Sequence, residues 1–234
     1  DKLLILRTPG IGPARYNELI ARFDGDVAAA VATLNPTVAH RDSVMREMAR
    51  ASELDIHYIC DDDDLYPARL RGVRNHPPVI TARGNLETLR HSAVSMVGTR
   101  HATAAGMEFI ADMATQFAAH GIAVVSGMAI GTDTAAHRGA LRAVGNAQTI
   151  AVLAGGADYI WPTENESLYQ EILARGVIIS EMPVGFVPVA TNFVQRNRWV
   201  AGIGEKLILG EADMNSGSMR TARFANDIGR KIYA

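Results

Sequence analysis

Six short apolar runs recur through the second half of the chain at intervals too long for hairpins, and this rhythm limits the fold more than any other feature. The runs are residues 93–97 (AVSMV), 122–126 (IAVVS), 149–153 (TIAVL), 177–180 (VIIS), 206–210 (KLILG) and a cut-short one from Lys231. Helix-like stretches separate them; in the first, Ile110, Met113, Ala114 and Phe117 repeat at helical spacing. Near-continuous hydrophobicity in the strands, alternating with helices, predicts a parallel sheet covered on both faces, a Rossmann-like, doubly wound α/β fold. No internal repeat of fixed period is visible.

Residues 1–54 read differently. Leu3 to Leu6 is an apolar patch, Tyr16, Leu19, Ile20 and Phe23 fall on one helical face, and a further helix covers Val38 to Leu54. Thr8-Pro9-Gly10-Ile11-Gly12-Pro13, ahead of the amphipathic helix that Pro13 opens, has the form of a helix-hairpin-helix. Such a hairpin either offers backbone amides to a nucleic-acid phosphate or is a plain turn between packed helices. Residues 55–91 form a connector with two short strands, Ile56 to Ile59 and Val79 to Ala82, opening a second domain over 55–234. The first residue is Asp and the last four look like a truncated strand, so a fragment of a longer protein is expected.

The 234 residues carry 48% hydrophobic and 21% charged side chains, which excludes a disordered or collagenous chain. Neither a long apolar span nor a secretory leader is visible, and Cys60 has no partner for a disulfide or a cysteine zinc site. A cytoplasmic protein without membrane partners is expected. The net charge of −2 argues on its face against nucleic acid. It conceals a bias, because 20 of the 23 cations are arginines and the acids cluster, with four in a row at Asp61 to Asp64. Residues 192–234 hold seven cations against four acids. Arginine is the side chain suited to forked contacts with phosphate.

Ligands of such sheets bind at the carboxyl ends of the strands. The loops there are rich in small residues: Gly98-Thr99-Arg100, Ser126-Gly127-Met128-Ala129-Ile130-Gly131, Ala154-Gly155-Gly156, and Ser216-Gly217-Ser218. Each glycine serves either a tight turn or a close phosphate approach; these loops together favour phosphate. The dinucleotide fingerprint is missing after the first strand, since Gly98 is followed by no glycine before Gly106, and no G-x-x-x-x-G-K-[ST] exists. No cofactor is expected. Asp133 and His137, four apart, form either an acid/base or metal pair or a plain helix start, with Thr132 or Asp133 as its natural N-cap and no third ligand nearby; Glu164, Glu181 and Glu211 lie near loop ends. Ser126 and Ser180 lack a nucleophile-elbow setting, so no catalytic residue is assigned. Asn192-Phe193-Val194-Gln195-Arg196-Asn197-Arg198, with Arg100, Tyr159 and Trp161, combines phosphate-neutralising and base-stacking groups, the pattern for single-stranded nucleic acid. The alternative is that the aromatics seal the sheet end and Arg198 pairs with a carboxylate.

These residues carry a resemblance. Val97-Gly98-Thr99-Arg100, the stretch from Ser126 to Leu141, Thr149 to Asp158, Tyr159-Ile-Trp-Pro162, Ser180-Glu181, Asn192-Phe193, Arg196-Asn197-Arg198, Glu211-Ala212 and Ser216-Gly217-Ser218 resemble the bacterial DNA-processing protein A family (DprA, also called Smf). The similarity covers roughly residues 56–234. It implies an extended Rossmann domain after a small all-helical (helix-hairpin-helix, SAM-like) domain, assembled as a homodimer. It further implies a non-enzymatic, sequence-independent single-stranded DNA binder that protects incoming DNA and loads the RecA recombinase during natural transformation. The implied DNA-binding residues are Gly98, Thr99, Arg100, Ser126, Gly127, Gly156, Tyr159, Asn192, Phe193, Arg196, Asn197, Arg198, Ser216, Gly217 and Ser218, with Tyr159 at the family's stacking position. A nucleoside-monophosphate-processing enzyme of the lysine-decarboxylase-like type is the alternative; of its P-G-G-x-G-T-x-x-E motif only Ala154-Gly155-Gly156 survives.

Overall fold

The computed structural model describes residues 1–144 and 148–234. The chain opens with four helices, α1 (Lys2–Leu6), α2 (Pro13–Ala21), α3 (Val27–Leu34) and α4 (Val38–Glu53). Pro13 stands at the first turn of α2, where its missing N–H removes no helical bond. Asp26 and Thr37 cap α3 and α4 by accepting from the amides of Ala29 and His40. Ile5, Tyr16, Ala30 and Val31 close a small core among the first three helices.

An eight-stranded sheet follows. Its strands are β1 (Ile56–Cys60), β2 (Val79–Gly84), β3 (Ala93–Val97), β4 (Ala123–Ser126), β5 (Thr149–Val152), β6 (Val177–Ser180), β7 (Lys206–Leu209) and β8 (Lys231–Tyr233). In space the order is β1-β2-β6-β5-β4-β3-β7-β8. Strands β3 to β8 pair in parallel, whereas β1 and β2 add antiparallel to the edge at β6 and extend the sheet. Each apolar run of the sequence becomes a strand, within a residue or so at its ends.

The alternation of side chains sorts the helices onto two faces. Val94, Met96, Val124 and Ile208 point to one side, against α6 (Ala104–Ala119) and α7 (Thr132–Arg142), with α8 (Glu166–Arg175) covering Ala151 and Ile178 further along it. Their neighbours Ala93, Val97, Val125, Ile150 and Leu207 point to the other, beneath α5 (Ala68–Arg71), α9 (Ala190–Ile203) and α10 (Gly217–Asp227). This is the doubly wound arrangement that continuous apolar strands require.

The helical region is seated on the sheet. Leu3 and Val44 pack on Val79, the Arg7 guanidinium forks onto Glu47 with both contacts at 2.7 Å, and Lys2 reaches Asp61 at 2.6 Å and Asp62 at 2.8 Å. Asp61 also meets His76 at 3.3 Å. Part of the acidic run is therefore occupied in fastening α1 to the loop after β1. No described helix is long and apolar enough to cross a membrane.

Candidate functional site

The strand order reverses its direction of growth at β3, which lies between β4 and β7. Loops leaving the carboxyl ends of these strands diverge to opposite faces, and a crevice must open where they part. A cavity of about 360 Å³ lies there, bounded by the β3–α6 loop (Gly98, Thr99, Arg100, His101), the start of α7, one side of α9 (Phe193, Arg196, Asn197) and the entry to α10 (Ser216, Gly217, Ser218).

Backbone geometry holds these loops together. Gly131 has φ +80°, and a side chain there would strike the Thr99 and Arg100 carbonyls, so the β4–α7 loop presses against the β3–α6 loop. The Thr132 hydroxyl donates to the Thr99 carbonyl at 3.1 Å, and the Thr99 amide to the Glu211 carbonyl at 2.6 Å. The Glu211 carboxylate accepts from the Thr103 hydroxyl at 2.5 Å and its amide at 2.7 Å, bonds that hold it below the usual carboxylate range. Glu211 thus ties the end of β7 to the N-terminus of α6. Glu164 is exposed in the turn ahead of α8, and Glu181 lies against Trp199 and Arg198, where burial pushes its carboxyl up. The three glutamates do not converge, and among the described residues no cluster of His, Cys, Asp and Glu could hold a metal.

Arg196 forms the floor. It is only 5% exposed; its Nη1 donates to the Gly127 carbonyl and, at 2.5 Å, to the Val152 carbonyl, clamping the ends of β4 and β5. A Cβ on residue 127 would collide with the guanidinium, which is why glycine stands there. Burial lowers Arg196 to about 10, so it remains a cation at neutral pH. Its Nε donates to Asn197 Oδ1 at 3.2 Å, and Asn197 Nδ2 donates to the Gly217 carbonyl at 3.4 Å, linking the clamp to α10. Asp133 is buried beside this system and accepts from the Gly127 and Ala129 amides; burial raises its carboxyl, opposed by the Arg196 charge and those amides.

His137 is fully buried as well. The Thr149 hydroxyl already donates to the Val124 carbonyl at 3.0 Å, so His137 Nδ1 must donate to Thr149 Oγ1 at 2.7 Å, and the ring is neutral. Burial, reinforced by Arg196, pulls it down to about 3. His137 is therefore a sealed element of the core, whereas Asp133 reaches the cavity wall with its carboxylate committed to the Gly127 and Ala129 amides.

The rim is the opposite of the floor. Arg100 is exposed, forms no ion pair with a described carboxylate, and holds its guanidinium 5.3 Å from the centre of the Trp161 ring. Trp161, 36% exposed, packs at 4.5 Å and 60° on Phe193. Opposite them Ser216 caps α10 by accepting from the Met219 amide, and Ser216, Gly217 and Ser218 line the cavity, so the positive end of that helix borders it.

Of the residues expected at the site, Gly98, Thr99, Arg100, Phe193, Arg196, Asn197, Ser216, Gly217 and Ser218 share this cavity wall. Ser126 and Gly127 are buried beside the Arg196 floor, and Gly156 is buried among Asp158, Pro183 and Gly185, off the cavity; the Ser126 hydroxyl donates to the Met96 carbonyl, and the Gly156 amide to the Phe186 carbonyl. Tyr159 is half-buried and packs on Gly155, apart from the cavity. Asn192 caps α9 by accepting from the Val189 amide. Arg198 faces the other side of α9, stacked on Trp199 at 5.1 Å and Phe224 at 5.9 Å. Val194, part of the stretch from Asn192 to Arg198, lines the cavity too, and so do His101 and Thr221, which were not singled out in the sequence; of these two only His101, next to Arg100, carried a local signal.

An open sheet with helix starts, small-residue turns and an arginine without an ion pair among the described residues, all gathered at its switch point, defines a Rossmann-like protein whose crevice collects groups of the kind that can receive a phosphate. Residues 57–234 match the family described as DNA recombination-mediator protein A, and residues 1–58 match the DprA-like N-terminal HHH domain. The chain belongs to the DNA recombination-mediator protein A (DprA/Smf) family. It is 36% identical to Protein Smf of Synechocystis over 181 residues, 76% of this chain and 45% of that protein. Among solved structures, DNA processing protein A from Streptococcus pneumoniae superposes with a TM-score of 0.81 at 28% identity, covering 98% of this chain and 84% of that one. A structure concerned with the single-stranded DNA binding mode of DNA processing protein A from Helicobacter pylori superposes at 0.68 with 30% identity, covering 75% and 79%. The chain spans about half the length of the first curated relatives it matches.

Proposed function

We propose that this chain binds single-stranded DNA without reading its sequence and mediates recombination by protecting the strand and delivering it to a RecA-type recombinase during natural transformation, acting as a homodimer and not as an enzyme. The observation that carries the binding step is the contrast between floor and rim. The floor arginine is spent on carbonyls, while Arg100 lies free on a Trp161–Phe193 aromatic platform opposite the amides of α10. A guanidinium and helix amides neutralise backbone phosphates, and an aromatic platform accepts any unpaired base. Duplex DNA hides those base faces. The single-stranded DNA binding of the Helicobacter pylori relative supports the same reading, and the family's description as a recombination mediator supports delivery to a recombinase. Asp133 and His137, the nearest candidates for acid–base work, are buried with their hydrogen bonds turned inward, which supports a binding role.

Fluorescence anisotropy with labelled oligothymidylate and with duplex, over a salt series, tests it. Single strands should bind more tightly, with log K falling linearly in log salt. Arg100→Ala should weaken binding about tenfold and reduce the slope by about 0.7, and Trp161→Ala should also cost about tenfold. Equal affinity for duplex, or indifference to both substitutions, refutes the binding site. Turnover of a nucleoside monophosphate by the purified chain refutes the non-enzymatic reading.

A further inference from the structure

A second cavity, of about 290 Å³, lies on the far side of α9, between that helix and the N-terminal hairpin. Gly12 and Arg15 border it from the hairpin, Asn75 from the loop after α5, and Gln195 and Arg198 from α9. The two cavities flank one helix: Val194 lines the first and Arg198 the second, and residues four apart on a helix are surface neighbours about 5–6 Å apart. No carboxylate borders the second cavity. Arg15 donates to the Gly10 carbonyl at 2.8 Å; Arg198 donates to the Arg74 carbonyl at 3.3 Å, stacks on Trp199 and Phe224 and lies near the buried Glu181 carboxyl, and neither arginine forms an ion pair with a described residue. Beyond Gly12, where a side chain would project, lies open space.

We propose that this cavity is a second subsite for the sugar–phosphate backbone, taken by the same single strand after it leaves the Arg100 pocket and passes over α9. The inference rests on the proposed function of that pocket and extends it to the helical region. Two guanidiniums on separate elements, with the side-chain amides of Asn75 and Gln195, recognise phosphate oxygens through charge-assisted bonds. No aromatic ring borders the cavity, so it holds backbone and not a base. The hairpin thereby lengthens the binding site without adding sequence preference.

Oligothymidylates of two lengths separate the two subsites. One, about five nucleotides long, fills only the pocket; the other, about twenty, reaches the hairpin. Arg15→Ala should weaken the longer strand about fivefold to tenfold and lower its salt slope by about 0.7, leaving the shorter strand unchanged. Arg15→Glu should deepen the same loss, and Arg198→Ala should weaken the longer strand more than the shorter. Circular dichroism melts of each variant check folding; a loss on both lengths without a change in melting would place Arg15 in the pocket and overturn the second subsite. Indifference to Arg15→Ala and Arg15→Glu at both lengths, while Arg100→Ala weakens both, also overturns it and leaves the pocket intact. Indifference to Arg100→Ala removes the pocket and, with it, the continuous track.

Discussion

Two arginines of one crevice illustrate how burial divides a single residue type into two tasks. Arg100 keeps its donors free for a ligand, while Arg196 lies under Gly127 with its donors committed to the carbonyls of Gly127 and Val152. Arg196→Ala would orphan those carbonyls and leave the buried Asp133 without its counter-charge, so a loss of about 3 kcal/mol of stability is expected in urea denaturation. Gly127→Ala should destabilise by about 1–3 kcal/mol, because the methyl enters space held by the guanidinium. A near-wild-type urea midpoint for Arg196→Ala would show that the clamp carries no energy. DNA binding separates the roles further: Arg100→Ala lowers the salt slope of a folded protein, whereas Arg196→Ala acts first on folding.

At the level of elements, the site is a meeting of helix starts. Thr103 and Ser216 cap α6 and α10, and Glu211 joins the end of β7 to α6. Removing the Ser216 hydroxyl leaves the Met219 amide without its partner, so Ser216→Ala should cost about 1 kcal/mol and lower Tm by about 2–4 °C. Because the fraying falls at the cavity wall, single-strand affinity should drop in the same variant. Ser216→Asp should restore the cap and Tm but not the affinity, since its charge would face a phosphate. Restoration of both by Ser216→Asp would place the phosphate elsewhere.

Across the whole molecule, the junction between helical region and sheet is electrostatic as well as apolar. Burial works against the Asp61 carboxylate, yet His76 and Lys2 outweigh it and hold its pKa down; the bond to Asp61 raises His76. Asp61 therefore contributes stability above an unfolded carboxylate value of about 3.9, and the contribution is lost as pH falls through its lowered folded value. The His76 contribution is complete below about 6.5 and is lost as pH rises through its raised folded value. A Tm profile should show a plateau in between with a decline on each flank. His76→Gln should flatten the alkaline decline, ~1–2 °C in size, while Lys2 preserves most of the acid one. An unaltered alkaline flank in His76→Gln would assign that decline to other groups. The same junction gives the net charge of −2 its meaning: Asp61 and Asp62 are paired with Lys2 at the junction, outside the crevice lining, while Arg100 forms no ion pair with a described carboxylate.

What the residues determined by themselves was periodic and local. Apolar runs such as AVSMV are legible because a strand buried on both faces has no polar side to conceal it, and the Thr8 to Pro13 hairpin is legible because proline and glycine act on their own backbone. The loops at the strand ends are legible for the same reason. The strand order and the antiparallel addition of β1 and β2 at β6 depend on contacts between distant segments, which no local pattern encodes. The burial of Arg196, Asp133 and His137 was equally out of reach, since an arginine in sequence looks the same whether it meets solvent or two carbonyls. So was the pairing of Trp161 with Phe193 and Arg100 while Tyr159 turns aside, and the seating of the hairpin against α9. Local chemistry names the groups that can meet a phosphate; only tertiary packing, by deciding which of them are desolvated and already bonded, selects those left free to do so.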